Sequence, residues 1–524
     1  MKKLRSILII LAAAFAAACS SYSGLDKKAL EEYNHPIRKG EPYWNVFAKK
    51  FTYAPAFGFS AVEGAVNYKY LIRQNGVEAA SFWADVPTED LGPVWASIPP
   101  GQCVLDVVAM NSRGDSIGLA GKREFIKDFP FRTGGPAPAK SYRQTALDAL
   151  LYVHNMPSTR HWQNNRTPDL SYVMNTYVCK IVGATVRVEC LVAKEFPELR
   201  EEALSAALGA AEYMVSLAWP QGAPLEGWPP TYGLAPADSN TYVARVAKNN
   251  ASKMMVLEAS VAGEAFLDLF DATSDSTWLE RSLSVARTYS RLQYPDGSWP
   301  IRIDTATGES LSHFRLWPAH VLKYLRRLET QYGIMDYAGV RDKAEAYINA
   351  VALPQFDLSG MFEDSMWDDF QSYSNLTNFT ASPYASYLLT NPSPTQDDVK
   401  NACDLIRLSE DQFVHWDKFE GVNAFPPYAC EQYFYDVPVD SSIADICDGY
   451  LALYEYNGDR LALEKAKALL GSLTRFQEPS GRILTLMIDF GEEGPNSEDF
   501  WLNSIWWDVS QLLRLDGILS SKNK

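Results

Sequence analysis

Histidine and cysteine are scarce in this 524-residue chain, with six and seven respectively. No Cys-x-x-Cys occurs and no two histidines stand at a ligand spacing, so a zinc site has no support and no metal is expected. Two phosphate-binding signatures are also missing: a Gly-x-Gly-x-x-Gly after a strand, and a Gly-Lys-[Ser/Thr] loop. No nucleotide cofactor is therefore expected. The one Gly-x-Ser-x-Gly match, Gly114 to Gly118, falls on the Arg113-Gly114-Asp115 turn within β texture and not between a strand and a helix, which argues against a serine hydrolase of the α/β type. Positive charge is in deficit, with 48 Lys and Arg against 64 Asp and Glu, for a net charge of -16 and a pI near 5.0. A charge of that sign excludes an electrostatic grip on nucleic acid or on an anionic bilayer. What is present is ordinary globular material, 47% apolar and 13% aromatic, long enough for more than one domain.

The only marked apolar run is Ile7 to Ala18, behind the basic head Lys2, Lys3 and Arg5. It is too short to cross a bilayer comfortably and reads as a targeting segment. Ala16, Ala17, Ala18 and Cys19 resemble a bacterial lipobox, which makes Cys19 the expected lipidation site and residues 1–18 the signal peptide. No acidic run follows Cys19, so an outer-membrane anchor facing the periplasm is favoured over the cell surface. The other six cysteines are read as mostly buried thiols whose pairing, if any, the sequence does not assign.

After a polar lead over residues 19–48, residues 49–130 have β texture. Asn67 to Ile72 alternates, Cys103 to Met110 is β-branched, and Asn75-Gly76, Pro99-Pro100-Gly101 and Arg113-Gly114-Asp115 mark turns. The stretches GAVNYKYLI and VWASIPPGQCVLDVVAMNSRGD resemble fibronectin type III-like modules, implying a small β-sandwich. Residues 131–140, with Thr133-Gly134-Gly135-Pro136-Ala137-Pro138, read as a linker.

From residue 141 to about 520 the apolar period becomes helical, as in Met254 to Phe270, Ala444 to Tyr454 and Ile505 to Leu515. Connections alternate in length. Short turns such as Ala272 to Asp275, Tyr332 to Ile334 and Asn457 to Asp459 separate six long stretches, and several of those open on Gln after an apolar helix end, at Gln293, Gln355, Gln412 and Gln477. A repeat of about 60 residues is one helical hairpin. Six hairpins with all long loops on one rim resemble an (α/α)6 toroid, a fold used by glycoside hydrolases and polysaccharide lyases. A linear helical solenoid would give the same repeat.

The long loops hold the candidate site, because a rigid scaffold gathers loops where function sits. Glycoside hydrolysis needs two carboxyl groups flanking the bond. Glu431, in NAFPPYACEQYFYDVPVDSS, is the first candidate, with a partner at Asp364 or Asp368. Asp440 reads as a helix cap rather than a catalyst. Trp367, Tyr373, Trp416, Tyr433 and Tyr435 offer faces for sugar rings. Arg245, Lys248, Asn249, Asn250 and Arg315 offer cations and amides for a uronic acid carboxylate. With His313 and a tyrosine, the same groups would serve β-elimination, so a polysaccharide lyase is the second reading. A lipid-anchored glycan-binding protein without catalysis is the third.

Three stretches, CEQYFYDVPVDSSIADICDGYLALYEYNGD, LQYPDGSWPIRIDTATGE and FQEPSGRI, resemble what recurs in Bacteroidota toroid lipoproteins. Among these, the exo-β-glucuronidases of glycan-degradation loci are the nearest in pattern. The resemblance implies an exo-acting hydrolase whose partner is a uronic acid-containing glycan or oligosaccharide. It supplies no catalytic motif, so the site residues rest on the chain's own chemistry.

Overall fold

The computed structural model describes residues 24–42, 48–235, 239–311, 314–355, 377–418, 425–432, 435–491, 494–496 and 499–521, without the side chains of Gln355, Gln432, Tyr435 and Asp436. The described chain is mainly helical after residue 141.

Residues 24–33 form helix α1. Seven strands follow: β1 (Lys50–Phe51), β2 (Ala56–Gly58), β3 (Asn67–Gln74), β4 (Val77–Ala84), β5 (Thr88–Asp90), β6 (Gly101–Met110) and β7 (Ser116–Lys127), with the single turn α2 (Gly92–Trp95) before β6. Five of them pair in the order β1-β7-β6-β3-β4, and β2 pairs with β5. The alternation of β6 explains its place: Cys103, Leu105, Val107 and Ala109 are buried while the residues between them are not. Asn75 and Gly76, both at positive φ, close the β3–β4 hairpin, as an Asn-Gly pair is suited to do. Phe57 of β2 meets Phe51 of β1 edge-on at 5.6 Å and Phe125 of β7 at 5.6 Å, so both sheets share one core.

The helical part opens with α3 (Tyr142–Asn155) and the short α4 (Pro157–His161). Five antiparallel pairs follow: α5 (Gly183–Glu195) with α6 (Arg200–Leu217), α8 (Glu258–Thr273) with α9 (Ser276–Leu292), α10 (Ala319–Tyr332) with α11 (Ala338–Tyr347), α13 (Asn378–Leu389) with α14 (Gln396–Phe413), and α15 (Asp440–Asn457) with α16 (Arg460–Phe476). Helices α7 (Tyr242–Asn249) and α12 (Leu353–Gln355) lie in connections, and α17 (Leu502–Ser521) ends the series. The first member of each pair also packs on the first member of the next, and α17 returns to α3 and α5. The short turns hold because their residues suit them. Ser274, Gly333 and Gly458 take the left-handed conformation that ends a helix, and Asp275, Thr395 and Asp459 cap the helix that follows.

Two of the long connections use one device. Gln293 donates to the carbonyl of Gly297 (3.0 Å) and to that of Val340 on α11 (2.7 Å). Gln477 donates in the same way to Gly481 (2.7 Å) and to Thr145 on α3 (2.9 Å). Each glutamine thus locks its loop to the neighbouring hairpin. Gly297 and Gly481 have φ of 92° and 93°, and a Cβ at either would strike the carbonyl of Lys343 or Asp148. Gly481→Ala is expected to lower stability by about 1–2 kcal/mol for the left-handed backbone alone, and further for the collision. An unchanged urea midpoint would show that the lock does not bear load.

The β part is bonded firmly to the helices. Lys50 Nζ donates to Asp128 (3.0 Å) and to the Val414 carbonyl (2.6 Å), and His415 Nδ1 lies 2.9 Å from the same Asp128 carboxylate. Asp411 on α14 accepts the backbone N–H groups of Thr52 and Tyr53 at 2.6 and 2.7 Å. Helix α1 docks as well, with Lys28 on Asp459 at 2.7 Å and Arg407 donating to the carbonyls of Glu32 and His35. Short strands tie the connections together: β8 (Lys253–Met255) with β9 (Arg302–Asp304), and β10 (Val414–His415) with β11 (Tyr428–Gln432), which in turn pairs with β12 (Tyr435–Pro438).

Candidate active site

Glu431 stands on β11 where the register slips between Cys430 and Gln432. A slip of this kind re-aims one side chain out of the strand's alternation. Tyr428 and Cys430 turn into a small apolar cluster, while Glu431 is half-buried. Its charge opposes ionisation of two neighbours, Asp440 and Asp445.

Asp440 is not a cap. Val439 holds that position without a side-chain bond, and Asp440 is the first residue inside α15, its amide donating to the Thr485 carbonyl at 3.0 Å. The expectation failed because capping requires a side chain that reaches back over its own helix end, and this one is drawn toward α17 instead. Its carboxyl is wholly buried, takes the Ser441 amide at 2.6 Å, and lies within hydrogen-bonding reach of Ser504 and Asp508. Burial raises its pKa. Burial and then the Asp440 charge push Asp508 well above the carboxylate range, and burial with the charge of Asp448 does the same to Asp445.

As ionised groups, Asp508 and Asp445 have no donor on either oxygen among the described residues, and Asp440 has none on Oδ2. Two carboxylates only accept, so Asp440 and Asp508 can bond to each other only through a shared proton. Burial and the mutual charge of these carboxyls thus favour a proton held in the cluster, with Glu431 as the more exposed carboxylate beside Asp440. The buried amide of Asn378, the first residue of α13, also lacks a partner on both its oxygen and nitrogen.

Several charges of the neighbouring helices are matched. Arg187 pairs with Asp268 (2.6 Å) and Glu264 (3.3 Å), and Arg327 with Glu264, Asp268 (2.7 Å) and Asp271 (2.9 Å). Asp448 receives Lys323, Arg514 (2.8 Å) and the Ser386 hydroxyl (2.9 Å). Burial alone would raise Asp448, but Lys323 and Arg514 outweigh it and hold the group below the usual range. Above the network, His320 of α10 and Trp507 of α17 meet with ring centroids 5.1 Å apart, and the Arg187 guanidinium covers Trp506 at 3.4 Å. Near the start of α5, Tyr177 and Trp501 rings lie 5.4 Å apart with Lys180 over Trp501 at 4.5 Å.

The other expected residues are placed as follows. Arg245 and Lys248 are exposed on α7, donating to the carbonyls of Asn240 and Ser239 at 2.8 Å each, with Asn249 exposed at its end. Asn250 is buried and donates to the Val246 carbonyl at 2.9 Å, so its amide closes α7 rather than facing a ligand. The Arg315 guanidinium lies 4.4 Å from the Tyr294 ring. Trp416 donates to Glu410 at 3.0 Å and packs edge-on to Phe131, which puts it at the seam with residues 129–138, beside a groove of about 660 Å³. That seam, and not the carboxyl cluster, is its place. Cys19, His313, Asp364, Trp367, Asp368, Tyr373 and Tyr433 lie outside the described residues, as does the Tyr435 side chain. None of the six described cysteines forms a disulfide. No described helix is long and apolar enough to cross a membrane.

Asp445, His320, Trp507, Asp508 and Ser504 were not singled out from the sequence. A signal existed for the carboxylates: Asp445 and Asp508 are acidic residues inside otherwise apolar helical runs, where charge is rarely found unless it has a task.

No family model matches the chain, and no curated protein does. Among solved structures it is similar to a family 76 glycoside hydrolase from a bovine Bacteroides thetaiotaomicron strain, at 11% identity over 88% of this chain and 94% of that one, with a TM-score of 0.48. A GH76 α-mannanase of Bacteroides thetaiotaomicron gives 11% identity over 74% and 98%, with a TM-score of 0.49. A cellobiose 2-epimerase from Spirochaeta thermophila gives 12% over 72% and 98%, with a TM-score of 0.48. Identities this low leave the reaction to be read from the side chains of this chain.

Proposed function

We propose that the chain is a glycoside hydrolase that releases the terminal sugar of a uronic acid-containing glycan, with Asp508 and Asp440 sharing the acid proton and Glu431 as the ionised partner. The observation that carries the reading is the pair of wholly buried carboxyls on α15 and α17, unsatisfied without a proton and adjacent to a third, more exposed carboxylate. Environments that hold one carboxyl protonated beside another that stays ionised are what acid-assisted cleavage of a glycosidic bond requires. Architecturally the reading takes the helix pairs as an (α/α)6 toroid, the sixth hairpin being α17 closed by α3. It takes the preceding sheets as a fibronectin type III-like sandwich. The packing of α17 on α3 and α5 and the shared core of the two sheets support it. The uronate rests on the exposed cations Arg245, Lys248 and Arg315.

The test is incubation with oligosaccharides that contain a uronic acid, followed at once for free sugar and for the ultraviolet absorbance of a new double bond. Free sugar without that band is expected, and Glu431→Gln should lower kcat by a hundredfold or more. Appearance of the band would replace hydrolysis by β-elimination. Tight binding with neither product would leave a glycan-binding protein.

A further inference from the structure

We propose that His320 and Trp507 seat an uncharged sugar ring, so that the uronic acid of the substrate is bound one or more rings away from them. The inference rests on the hydrolase reading and fixes which sugar is released.

His320 and Trp507 come from α10 and α17, which stand three places apart in the packing series, and their rings still meet at 5.1 Å with an interplanar angle of 59°. Both remain partly accessible to solvent although Ala319, Val321, Ile505 and Asp508 beside them are buried. An indole face there suits the apolar C–H face of a pyranose.

The charges around the pair decide what kind of ring it takes. Asp508 follows Trp507 directly on α17 and lies beside Asp440 and Asp445, with the charge of Glu431 felt by the last two. Four cations of the neighbouring helices are committed: Lys323 and Arg514 to Asp448, Arg187 and Arg327 to Glu264 and Asp268. His320 is itself neutral, since burial, and then Lys323 one turn further on, push its pKa down to about 3. A neutral imidazole offers one donor and one acceptor, a match for sugar hydroxyls, which both give and take. It gives a carboxylate one hydrogen bond and no charge. A uronate placed there would meet several carboxyls and no uncommitted cation among the groups just named. The exposed Arg245, Lys248 and Arg315 offer the charge it needs elsewhere on the chain.

Two measurements on the intact protein test this. The first compares two oligosaccharides of equal length, one ending in a neutral hexose followed by a uronate and the other ending in the uronate itself. Cleavage of the first at least tenfold faster, releasing neutral sugar, is expected; preferential release of terminal uronate would overturn the inference and leave the hydrolase standing. Cleavage of neither would instead remove the hydrolase reading. The second is product inhibition of the wild type on the cleaved substrate, in which the neutral monosaccharide should inhibit and the free uronic acid should not. Trp507→Ala should raise KM at least tenfold with a smaller change in kcat, and Trp507→Phe should recover most of it. Equal KM values in all three proteins would remove Trp507 from the site.

Discussion

Asp508→Asn is expected to reduce kcat by roughly a hundred- to ten-thousand-fold, the range by which a placed proton donor accelerates such a reaction, while leaving the protein folded and more stable at neutral pH than the parent. The two effects have one cause. Burial and the neighbouring Asp440 raise the Asp508 pKa, so the folded state keeps a proton that the unfolded chain releases near pH 4. A group raised in this way contributes its full stability below its unfolded pKa and loses it as pH rises through the folded value. Asparagine has no proton to lose, and its amide N–H can donate to Asp440 as the shared proton did. The variant's advantage should therefore be absent near pH 3 and grow with pH, by about 1.4 kcal/mol for each unit separating the two pKa values. Urea denaturation from pH 4 to 9, with kcat measured on the same preparations, checks both. Loss of activity without the pH-dependent stability gain would mean that Asp508 is not held protonated. Retained activity would remove it from the reaction.

The second large effect is on folding. Asp448→Ala should destabilise the protein by about 3–5 kcal/mol, because removing one partner of a buried ion pair leaves the others charged and unmatched. Here two cations lose a partner, Lys323 outright and Arg514 in part, since Glu455 still holds Arg514 at 2.5 Å, and the Ser386 hydroxyl loses its acceptor. Asp448 lies among residues of α10, α13 and α17, so the loss is felt by four helices together. Adding Lys323→Met to Asp448→Ala should restore part of the stability, since the second change removes one of the stranded charges. A loss below about 1 kcal/mol, on the scale of an exposed pair, would show that water reaches this network and takes over the solvation of both cations.

These expectations separate what can be read along the chain from what cannot. The alternation of short and long connections was legible because it depends on local chemistry. Gly333 and Gly458 end helices by taking positive φ, and Asp275 and Asp459 begin the next ones. The repeated glutamine was legible as a pattern, but its purpose was not, because Val340 and Thr145 lie in other hairpins. Asn250 looked like a ligand amide and closes its own helix, and Trp416 looked like a sugar platform and packs on Phe131. A side chain's type is written in the sequence, whereas the direction it faces follows from what packs against it.

The candidate site shows the same division more sharply. By itself the sequence determined a mainly helical chain of repeated hairpins behind a β part, an acidic surface, and a loop in which Glu431 stands out. Only the tertiary structure decided which carboxyls are held away from water. Asp440 and Asp508 belong to different hairpins and titrate abnormally because α15 and α17 bring them together away from water. A pKa depends on desolvation and on nearby charge, and both are supplied by residues far away in the sequence.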